Sequence, residues 1–296
     1  MKTVKGLHEK MGTFENANTS FHQAARCKRY TNEVLAFSMV KEEELLRATE
    51  EIQNLTYRQG EYKIFKVFEP KERLIMALPF YDRVVQHMIC NAIQPVFENG
   101  FYYHSYACRS GKGMHAASDT LYQWMYETEV KQGLRMYAFK GDISKYFASI
   151  PHDKLKDENR RYIGDKKALM LMDDIIDHNG ILPDGVGIPV GNITSQLFAN
   201  VYGNKLDKFC KHVLHIPYFV RYMDDFIILS DDLEQLKEWV KRIEEFLENE
   251  MLLHINPKST ILYAGNGIDF CGYIHYADHK KVRKSVSYTH LRAHET

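Results

Sequence analysis

The chain has 296 residues, enough for one large domain or two smaller ones, because single cores tend to split beyond roughly 250 residues. Apolar residues make up 45% and charged residues 26%, ordinary globular values that exclude a long disordered chain. The formal net charge is zero, so any affinity for a polyanion must come from local patches or from a partner.

The cysteines and the N-terminal sequence bear on the cellular compartment. The five cysteines are scattered and never form a C-x-x-C pair, which argues against a zinc site and a disulfide framework. No stretch approaches the roughly 20 apolar residues of a membrane span, and residues 1–12 lack the apolar segment of a signal peptide. We therefore expect a cytoplasmic protein with no membrane partner.

The first half of the chain is predicted to be mainly helical. Asp82 is a candidate cap for a helix that Gly100 can end, and Pro95 predicts a kink or an earlier end. The segment YKIFKVFEP has the pattern of a strand. Apolar periodicity places helices at residues 41–57, 82–100 and 114–132.

The second half alternates strands with helices. The apolar run MYAFKGDIS indicates a buried strand that ends at Asp142, and YFVRYMDDFIIL is typical of a tight hairpin around an acidic pair. STILYA and IDFCGYIHY are two further strands. Helices are predicted at 153–178, from near Thr194, and at 231–250. This order predicts an α+β fold with helices on one face of an antiparallel sheet.

Three aspartates stand out. Nucleotidyl transfer needs two divalent cations roughly 3.5–4 Å apart, and hard cations prefer carboxylate oxygens. Asp142 at a strand end and Asp224-Asp225 in a hairpin turn can meet on adjacent strands. A solvated turn is the commoner interpretation of an Asp-Asp pair. The apolar flanks YFVRY and FIIL favour a functional pair here.

Three segments in order resemble the catalytic blocks of reverse transcriptases, namely FKGDISKYFASIPHDKL, GIPVGNITSQLFANVYGNKLD and RYMDDFIIL. The resemblance runs from about residue 14 to 280. It includes two fingers blocks (FKVFEPKERLIMALPFYDRVVQHMI and YHSYACRSGKGMHAA), a lysine block (NPKST) and a primer-grip block (FCGYIHY). It implies an α+β right-hand polymerase with fingers and palm, an antiparallel palm sheet backed by helices, and a thumb that is largely missing.

The resemblance also implies a division of the chain. The expected regions are an N-terminal extension (1–30), fingers with the start of the palm (31–138), palm with the first catalytic block (139–153), a helical insertion (154–182), palm with the remaining blocks (183–275) and the start of a truncated thumb (276–284). Residues 285–296 carry no apolar period and resemble a cloning or sequencing adapter, so we expect a non-native tail there.

By the same resemblance, Asp142 and Asp224 bind two Mg²⁺ ions, for which Mn²⁺ is an alternative. Ile143 offers a backbone carbonyl, and Asp225 is more supporting than ligating. Lys258 corresponds to the lysine that protonates the leaving pyrophosphate, although it also fits an ordinary turn lysine after Pro257.

Five further residues are expected to bind the incoming deoxynucleoside triphosphate. Lys66 and Arg73 match two fingers cations that clamp the triphosphate, although Lys66 also fits a solvated lysine. Phe147 matches the aromatic that excludes a ribose 2′-hydroxyl; the alternative is a core phenylalanine. Val190 and Gly191 are expected beside the templating base pair, where glycine permits close backbone approach.

The template RNA and the primer-template duplex are the expected macromolecular ligands. Arg109 with its turn matches a backbone-phosphate contact, but R-S-G-K-G also fits a flexible basic turn. Ser195 and Gln196 either contact the template or, with Thr194, cap a helix. The template and primer residues are Arg109, Gly111, Lys112, Ser195, Gln196, Tyr222, Met223, Phe270 and Gly272.

Within the family, Val190-Gly191-Asn192-Ile193-Thr194-Ser195-Gln196 is most similar to enzymes of diversity-generating retroelements. That likeness implies misincorporation at template adenines, a small basic accessory variability protein and a bacterial, phage or archaeal host. Val190 cannot donate or accept a side-chain hydrogen bond, which weakens discrimination by roughly 0.5–1.5 kcal/mol.

Other interpretations remain open at this stage. The same chemistry fits a retron, group II intron or phage-defence reverse transcriptase. A non-catalytic RNA-binding module is a further alternative, although all three aspartates are present. The chain also fits an incomplete enzyme, because recognisable sequence stops near Lys284.

Overall fold

The computed structural model describes residues 3–68 and 72–284, apart from the side chain of Arg73. The predicted non-native tail, 285–296, lies outside the described residues. The chain forms two compact units. Unit 1 contains the residues up to Phe101 together with Phe147–Tyr202, and unit 2 contains Tyr102–Tyr146 and the residues from Gly203 onward.

The helices are α1 (Leu7–Met11), α2 (Phe14–Ala24), α3 (Asn32–Met39), α4 (Lys41–Gln53), α5 (Phe80–Glu98), α6 (Met114–Met125), α7 (Tyr146–Ser149), α8 (His152–Tyr162), α9 (Lys166–Asp177), α10 (Ile193–Lys208) and α11 (Leu233–Phe246). The strands are β1 (Lys63–Val67), β2 (Arg73–Ala77), β3 (Tyr137–Asp142), β4 (Tyr218–Tyr222), β5 (Asp225–Ser230), β6 (Thr260–Tyr263), β7 (Ile268–Phe270), β8 (Tyr273–His275) and β9 (Lys280–Val282). Turns of π-helix continue α6, α10 and α11.

Unit 1 is organised around α5, which packs against α1, α2 and α3. Its apolar stripe is fully buried and consists of Val84, Val85, Met88, Ile89, Ile93 and Phe97. The N-terminal residues that were predicted to be an extension therefore belong to this core: Leu7, Met11 and Ala17 are buried. Strands β1 and β2 form an antiparallel hairpin in which Val67 faces Arg73.

Two details of α5 differ from the prediction. The helix begins at Phe80, so Asp82 lies in its first turn and is not the cap. The Asp82 carboxylate is buried and accepts hydrogen bonds from the Tyr57 hydroxyl at 2.8 Å and the Gly60 N–H at 3.1 Å. The helix also continues through Pro95 to Glu98, so the predicted earlier end is wrong, while the alternative of a kink stays a prediction. Pro95 removes one main-chain hydrogen bond of the helix. The helix tolerates this loss because only three residues follow Pro95 before it ends at Glu98.

A single carboxylate joins the first helix to a distant part of unit 1. Asp165 caps α9 by accepting from the N–H groups of Lys167 and Ala168, and its second oxygen accepts from the N–H groups of Leu7 and His8 at 2.8 and 3.0 Å. Burial alone would raise the pKa of Asp165, but these backbone donors lower it. The start of α1 is therefore satisfied by a residue of a much later segment.

Unit 2 contains a four-stranded antiparallel sheet in the order β4-β5-β3-β6 and a three-stranded sheet in the order β7-β8-β9. One face of the larger sheet packs on α6, β7 and neighbouring segments through a core of Tyr106, Ala117, Leu121, Met125, Met136, Ala138, Val220, Ile227, Leu229, Ala264, Ile268 and Phe270. The aromatic residues Phe139, Phe219 and Phe226 pack together on the opposite face.

The prediction that helices cover one face was wrong, because the opposite face is also covered. Gly203 of α10 contacts Arg221 on that face, and α11 packs on β3 and β5. The continuous apolar run in β5 explains this arrangement, since a strand buried on both faces has no polar alternation. Across the described residues, none of the helices combines the length and apolarity needed to cross a bilayer.

Gly141 allows the Phe226 ring to lie against β3. A Cβ at residue 141 would stand 2.6 and 2.7 Å from the two Cε atoms of that ring, which is fully buried. We predict that Gly141→Ala lowers the free energy of unfolding by about 1–3 kcal/mol through overpacking. Urea denaturation of Gly141→Ala and of Gly141→Ala/Phe226→Leu measures this effect. The double variant should recover part of the loss, and equal stability of Gly141→Ala and wild type would contradict the explanation.

Candidate active site

The acidic residues of unit 2 meet at one end of its four-stranded sheet. β3 ends at Asp142 and β5 begins at Asp225, and these two residues are directly opposite each other in the antiparallel register. Asp225 is also opposite Tyr222 on β4, so Met223 and Asp224 form a two-residue turn. The Met223 backbone has a φ of 58°, in the left-handed region that non-glycine residues rarely adopt. The register therefore places all three aspartates at the same end of the sheet.

The chain beyond β3 is held in place by main-chain hydrogen bonds on both sides. The Ile143 N–H donates to the Asp224 carbonyl at 3.2 Å, and the Ser144 N–H donates to the His254 carbonyl at 2.9 Å. The Asn256 N–H donates to the Asp142 carbonyl at 2.7 Å. These bonds fix the backbone of Asp142 and Asp224 relative to each other.

Asn256 also orients the Asp142 side chain. Its side-chain amide donates to Asp142 Oδ2 at 2.6 Å, while its amide oxygen accepts from the Lys258 N–H at 3.1 Å. The Asp142 N–H donates to Ser259 Oγ at 3.0 Å. Neither Asn256 nor Ser259 was identified from the sequence, although both lie in NPKST. The available signal was an amide beside the predicted Lys258.

The three carboxylates influence one another electrostatically. Burial, together with the charges of Asp224 and Asp142, raises the pKa of Asp225 to about 6, while Lys140 and Arg283 act in the opposite direction. A carboxyl group whose pKa rises beside two other carboxylates is in a region of excess negative charge. A bound cation would relieve that repulsion.

The donor set fits magnesium. Mg²⁺ is commonly held by one or two carboxylates together with substrate phosphates and water, not by an all-protein cage. Asp142, Asp224 and the Ile143 carbonyl supply two carboxylates and one carbonyl. Across residues 3–68 and 72–284, no three His, Cys, Asp or Glu side chains already converge as a metal site.

Two of the predicted basic template contacts bind their own backbone. Arg109 Nη1 donates to the Tyr102 and Ser105 carbonyls, both at 2.7 Å. Lys112 Nζ donates to the Tyr103 carbonyl at 2.9 Å and lies 3.6 Å from the centre of the Tyr103 ring. Both cations therefore shape this basic loop, in which Gly111 has a φ of 69°.

Burial changes what several predicted template and primer residues can do. Phe270 is 2% exposed and belongs to the core on the α6 face of the sheet, where its ring packs against other apolar side chains. Met223 is also buried, whereas Tyr222 and Gly272 are half-buried. The assignment of Phe270 and Gly272 to the primer site stays a prediction.

The predicted nucleotide-binding residues lie in unit 1. Lys66 on β1 forms an exposed ion pair with Glu72, with N···O at 2.6 Å. The Val190 carbonyl accepts from the Met76 N–H at 3.3 Å, which places Val190 and Gly191 beside β2, the strand that begins at Arg73. Gly191 has a φ of 119°. Phe147 is half-buried, and its carbonyl accepts from the Ile188 N–H at 2.8 Å.

The helix cap before α10 is Asn192, not Thr194 or Ser195. The Gln196 N–H donates to the Asn192 carbonyl at 3.3 Å, and α10 begins at Ile193. Ser195 is buried in the first turn, so direct template contact through its hydroxyl is also corrected. Gln196 is exposed and stays a candidate for that contact.

Sequence comparison connects this chain to known proteins. A family model described as reverse transcriptase (RNA-dependent DNA polymerase) matches residues 66–275. Protein YkfC of Escherichia coli is 25% identical, and the alignment covers 73% of this chain and 64% of YkfC. An uncharacterised 91 kDa protein in a cob intron of Schizosaccharomyces pombe is 30% identical over 45% of this chain and 16% of its own length. The chain thus spans less than two thirds of these relatives.

Structure comparison gives the same architecture at low identity. Telomerase from Candida albicans, solved with a fragment of telomeric RNA, has a TM-score of 0.53 at 12% identity, covering 85% of this chain and 50% of that one. Apo telomerase from Candida tropicalis has a TM-score of 0.58 at 12% identity, covering 76% and 48%. These likenesses concern the fold alone, and they confirm the predicted α+β fold with antiparallel sheets.

The Asn256 amide provides a test of the site through metal affinity. We predict that Asn256→Ala weakens Mn²⁺ binding about 10–100-fold, because a ligand that loses its orienting hydrogen bond must be ordered by the metal itself. Electron paramagnetic resonance of free Mn²⁺ measures the affinity. His254→Ala is the control, since the His254 side chain is exposed and faces Glu248 while only its carbonyl bonds to Ser144. Equal affinities for Asn256→Ala and wild type would remove Asn256 from the site.

Proposed function

We propose that this chain, which belongs to the reverse transcriptase (RNA-dependent DNA polymerase) family, is an RNA-directed DNA polymerase that extends a primer by two-metal nucleotidyl transfer. The observation that carries the proposal is the register that sets Asp142 opposite Asp225, with Asp224 in the adjoining turn. Fold alone does not give function, whereas paired carboxylates at a strand end and a hairpin turn specify a metal-dependent phosphoryl site.

The protein's contribution is to hold acidic ligands in fixed positions. Asp142 and Asp224, with the Ile143 carbonyl, would hold two magnesium ions, which activate the primer hydroxyl and neutralise charge on the transferring phosphate. Asn256 keeps one Asp142 oxygen oriented through a 2.6 Å hydrogen bond. Asp225 supports the site from its half-buried position. In this proposal Lys258 donates the proton that the leaving pyrophosphate requires.

Nucleotide selection is assigned to residues of unit 1. Lys66 and Arg73 would contact the triphosphate, and Phe147 would exclude a ribose 2′-hydroxyl. The Lys66–Glu72 pair does not oppose this role, because both side chains are more than half exposed and such pairs contribute only about 0–1 kcal/mol. A triphosphate can therefore compete for the lysine.

Nucleic-acid binding is assigned to Gln196 of unit 1, to residues of unit 2 and to a partner. Arg109 and Lys112 keep the basic loop in shape, and the loop would present backbone and side-chain donors to template phosphates. Template RNA and the primer-template duplex are the proposed ligands. The zero net charge supports the further proposal that a small basic accessory variability protein contributes RNA affinity.

The finer proposal is a diversity-generating retroelement enzyme that misreads template adenines. Its support is the sequence from Val190 to Gln196 together with the anchoring of the Val190 backbone on Met76. An enzyme encoded by a group II intron is the second candidate, because a putative COX1/OXI3 intron 2 protein of Saccharomyces cerevisiae is 22% identical over 65% of this chain.

Loss of the turn carboxylate tests the chemistry. We predict that Asp224→Asn lowers magnesium-dependent deoxynucleotide incorporation on an RNA template with a DNA primer by on the order of a thousandfold. Removing a metal ligand forfeits several kcal/mol of transition-state stabilisation. Primer extension in gels, with and without magnesium, measures the rate.

Asp231→Asn is the matched control, since Asp231 belongs to an exposed acidic pair beyond β5 and should leave the rate unchanged. Incorporation that is equal in wild type and Asp224→Asn would count decisively against the polymerase proposal.

Residue 190 tests the retroelement assignment. We predict that Val190→Gln reduces misincorporation opposite template adenine by up to about tenfold, because the new amide can restore one hydrogen bond near the base pair. Sequencing of the complementary DNA gives the error rate at each template base. Ile181→Gln introduces the same amide at a 60% exposed position of the same unit and should not change the errors. If the wild-type enzyme misincorporates opposite template adenine no more often than opposite the other bases, the result would instead favour the intron-type assignment.

A further inference from the structure

Arg221 is a fully buried arginine in β4, one residue before the strand ends at Tyr222. Its Nε donates to Asp207 Oδ1 at 2.6 Å and its Nη2 donates to Asp207 Oδ2 at 2.7 Å, which is a bidentate pair with both side chains at 0% exposure. Burial lowers the pKa of Arg221, but the Asp207 carboxylate outweighs that effect and raises it. The guanidinium is therefore charged and fixed in orientation.

The same guanidinium reaches the turn that carries Asp224. Arg221 Nη1 donates to the Met223 carbonyl at 2.9 Å, and Nη2 also donates to Ser105 Oγ at 3.1 Å. The Met223 backbone is in the left-handed region, a conformation that costs about 1–3 kcal/mol unless its surroundings enforce it. The hydrogen bond from Arg221 supplies such enforcement.

The absence of a side chain at Gly203 leaves room for the Arg221 guanidinium. A Cβ at Gly203 would stand 2.6 Å from Arg221 Nη1 and 2.8 Å from its Cζ. The Arg221 main chain is also fixed, because its N–H donates to the His104 carbonyl and its carbonyl accepts from the Tyr106 N–H, both at 3.0 Å. Backbone and side chain are thus held independently.

Stability does not explain the pair. Burying two charges costs about as much as their attraction returns, and apolar residues of similar volume often stabilise a protein equally well. The arginine instead supplies a hydrogen-bond donor to the carbonyl of Met223, whose backbone is in the left-handed region. The strand places Arg221 and Asp225 on opposite faces, since Arg221 is opposite Phe226 in the register and Asp225 is opposite Tyr222.

We propose that Arg221 is a positioning residue that fixes the Met223-Asp224 turn from the face of the sheet opposite Asp225, and that Asp207 orients its guanidinium. The Asp224 carboxylate is thereby held beside Asp142 before a metal binds. This inference rests on the proposed polymerase function. In this proposal the buried Arg221–Asp207 pair preorganises the metal ligand Asp224. Preorganisation lowers the free-energy cost of ordering that ligand during the reaction.

The decisive variant replaces both charges with apolar residues. Arg221→Met/Asp207→Leu keeps volume without leaving a buried charge, so it should unfold cooperatively near the wild-type midpoint. The Met223 carbonyl then lacks its donor. We expect kcat for primer extension to fall about 10–100-fold, the nucleotide KM to stay within about twofold, and Mn²⁺ affinity to fall about tenfold, as for other residues that orient a metal ligand.

Two controls separate positioning from general loss of packing. Ser105→Ala removes the fourth Arg221 contact and leaves the bond to Met223, so kcat and Mn²⁺ affinity should match wild type. Thr128→Val removes buried hydrogen bonds to the Trp124 and Met125 carbonyls elsewhere in unit 2 and should lower stability alone. Arg221→Lys keeps the charge but not the fork, and it decides the question if the double variant does not fold.

The outcomes are distinct. A folded double variant with wild-type kcat and wild-type Mn²⁺ affinity overturns the positioning role. If the double variant does not fold, a folded Arg221→Lys variant with both values unchanged overturns it instead. If wild type shows no polymerase activity but Mn²⁺ affinity still falls in the variants, the positioning role stands while the proposed function fails. A rise in nucleotide KM with unchanged kcat and Mn²⁺ affinity also overturns the inference.

Discussion

The pairing of β3 with β5 is the constraint on which the candidate site depends. Side chains alternate between the two faces of a strand, so a slip of one residue would move Asp142 to the face occupied by Phe226. Apolar residues on both faces prevent that slip, because either face would expose a large side chain. The chemistry of the three aspartates therefore depends on the packing of residues that never meet a substrate.

Packing and chemistry are most closely joined around the hairpin turn. On the face of the sheet that carries Asp142 and Asp225, burial and the neighbouring carboxylates raise the pKa of Asp225. On the opposite face, the Arg221 guanidinium of the buried ion pair donates a hydrogen bond to the Met223 carbonyl in the turn. The sheet thus separates an unfavourable cluster of negative charge from the polar group that holds it in place. A site of this kind is unstable by itself and relies on the surrounding core.

Sequence reasoning found the features that have local signals. The hairpin, the buried strand ending at Asp142 and the α+β fold followed from periodicity and flanking residues. Asn256 and Arg221 were missed, because the local sequence shows only an amide and a cation. The carboxylates that they bind, Asp142 and Asp207, lie 114 and 14 residues away. Asp82 was misjudged for the related reason that its burial is decided by a tertiary contact with Tyr57.

Asp165 connects α9 to the start of α1, and the two are separated by about half of the chain. During synthesis on a ribosome, the first helix emerges long before the residue that completes its N-terminal end. The start of α1 therefore gains its hydrogen-bond partner only after the segment that follows β3 has also been made, although its residues are the earliest to appear.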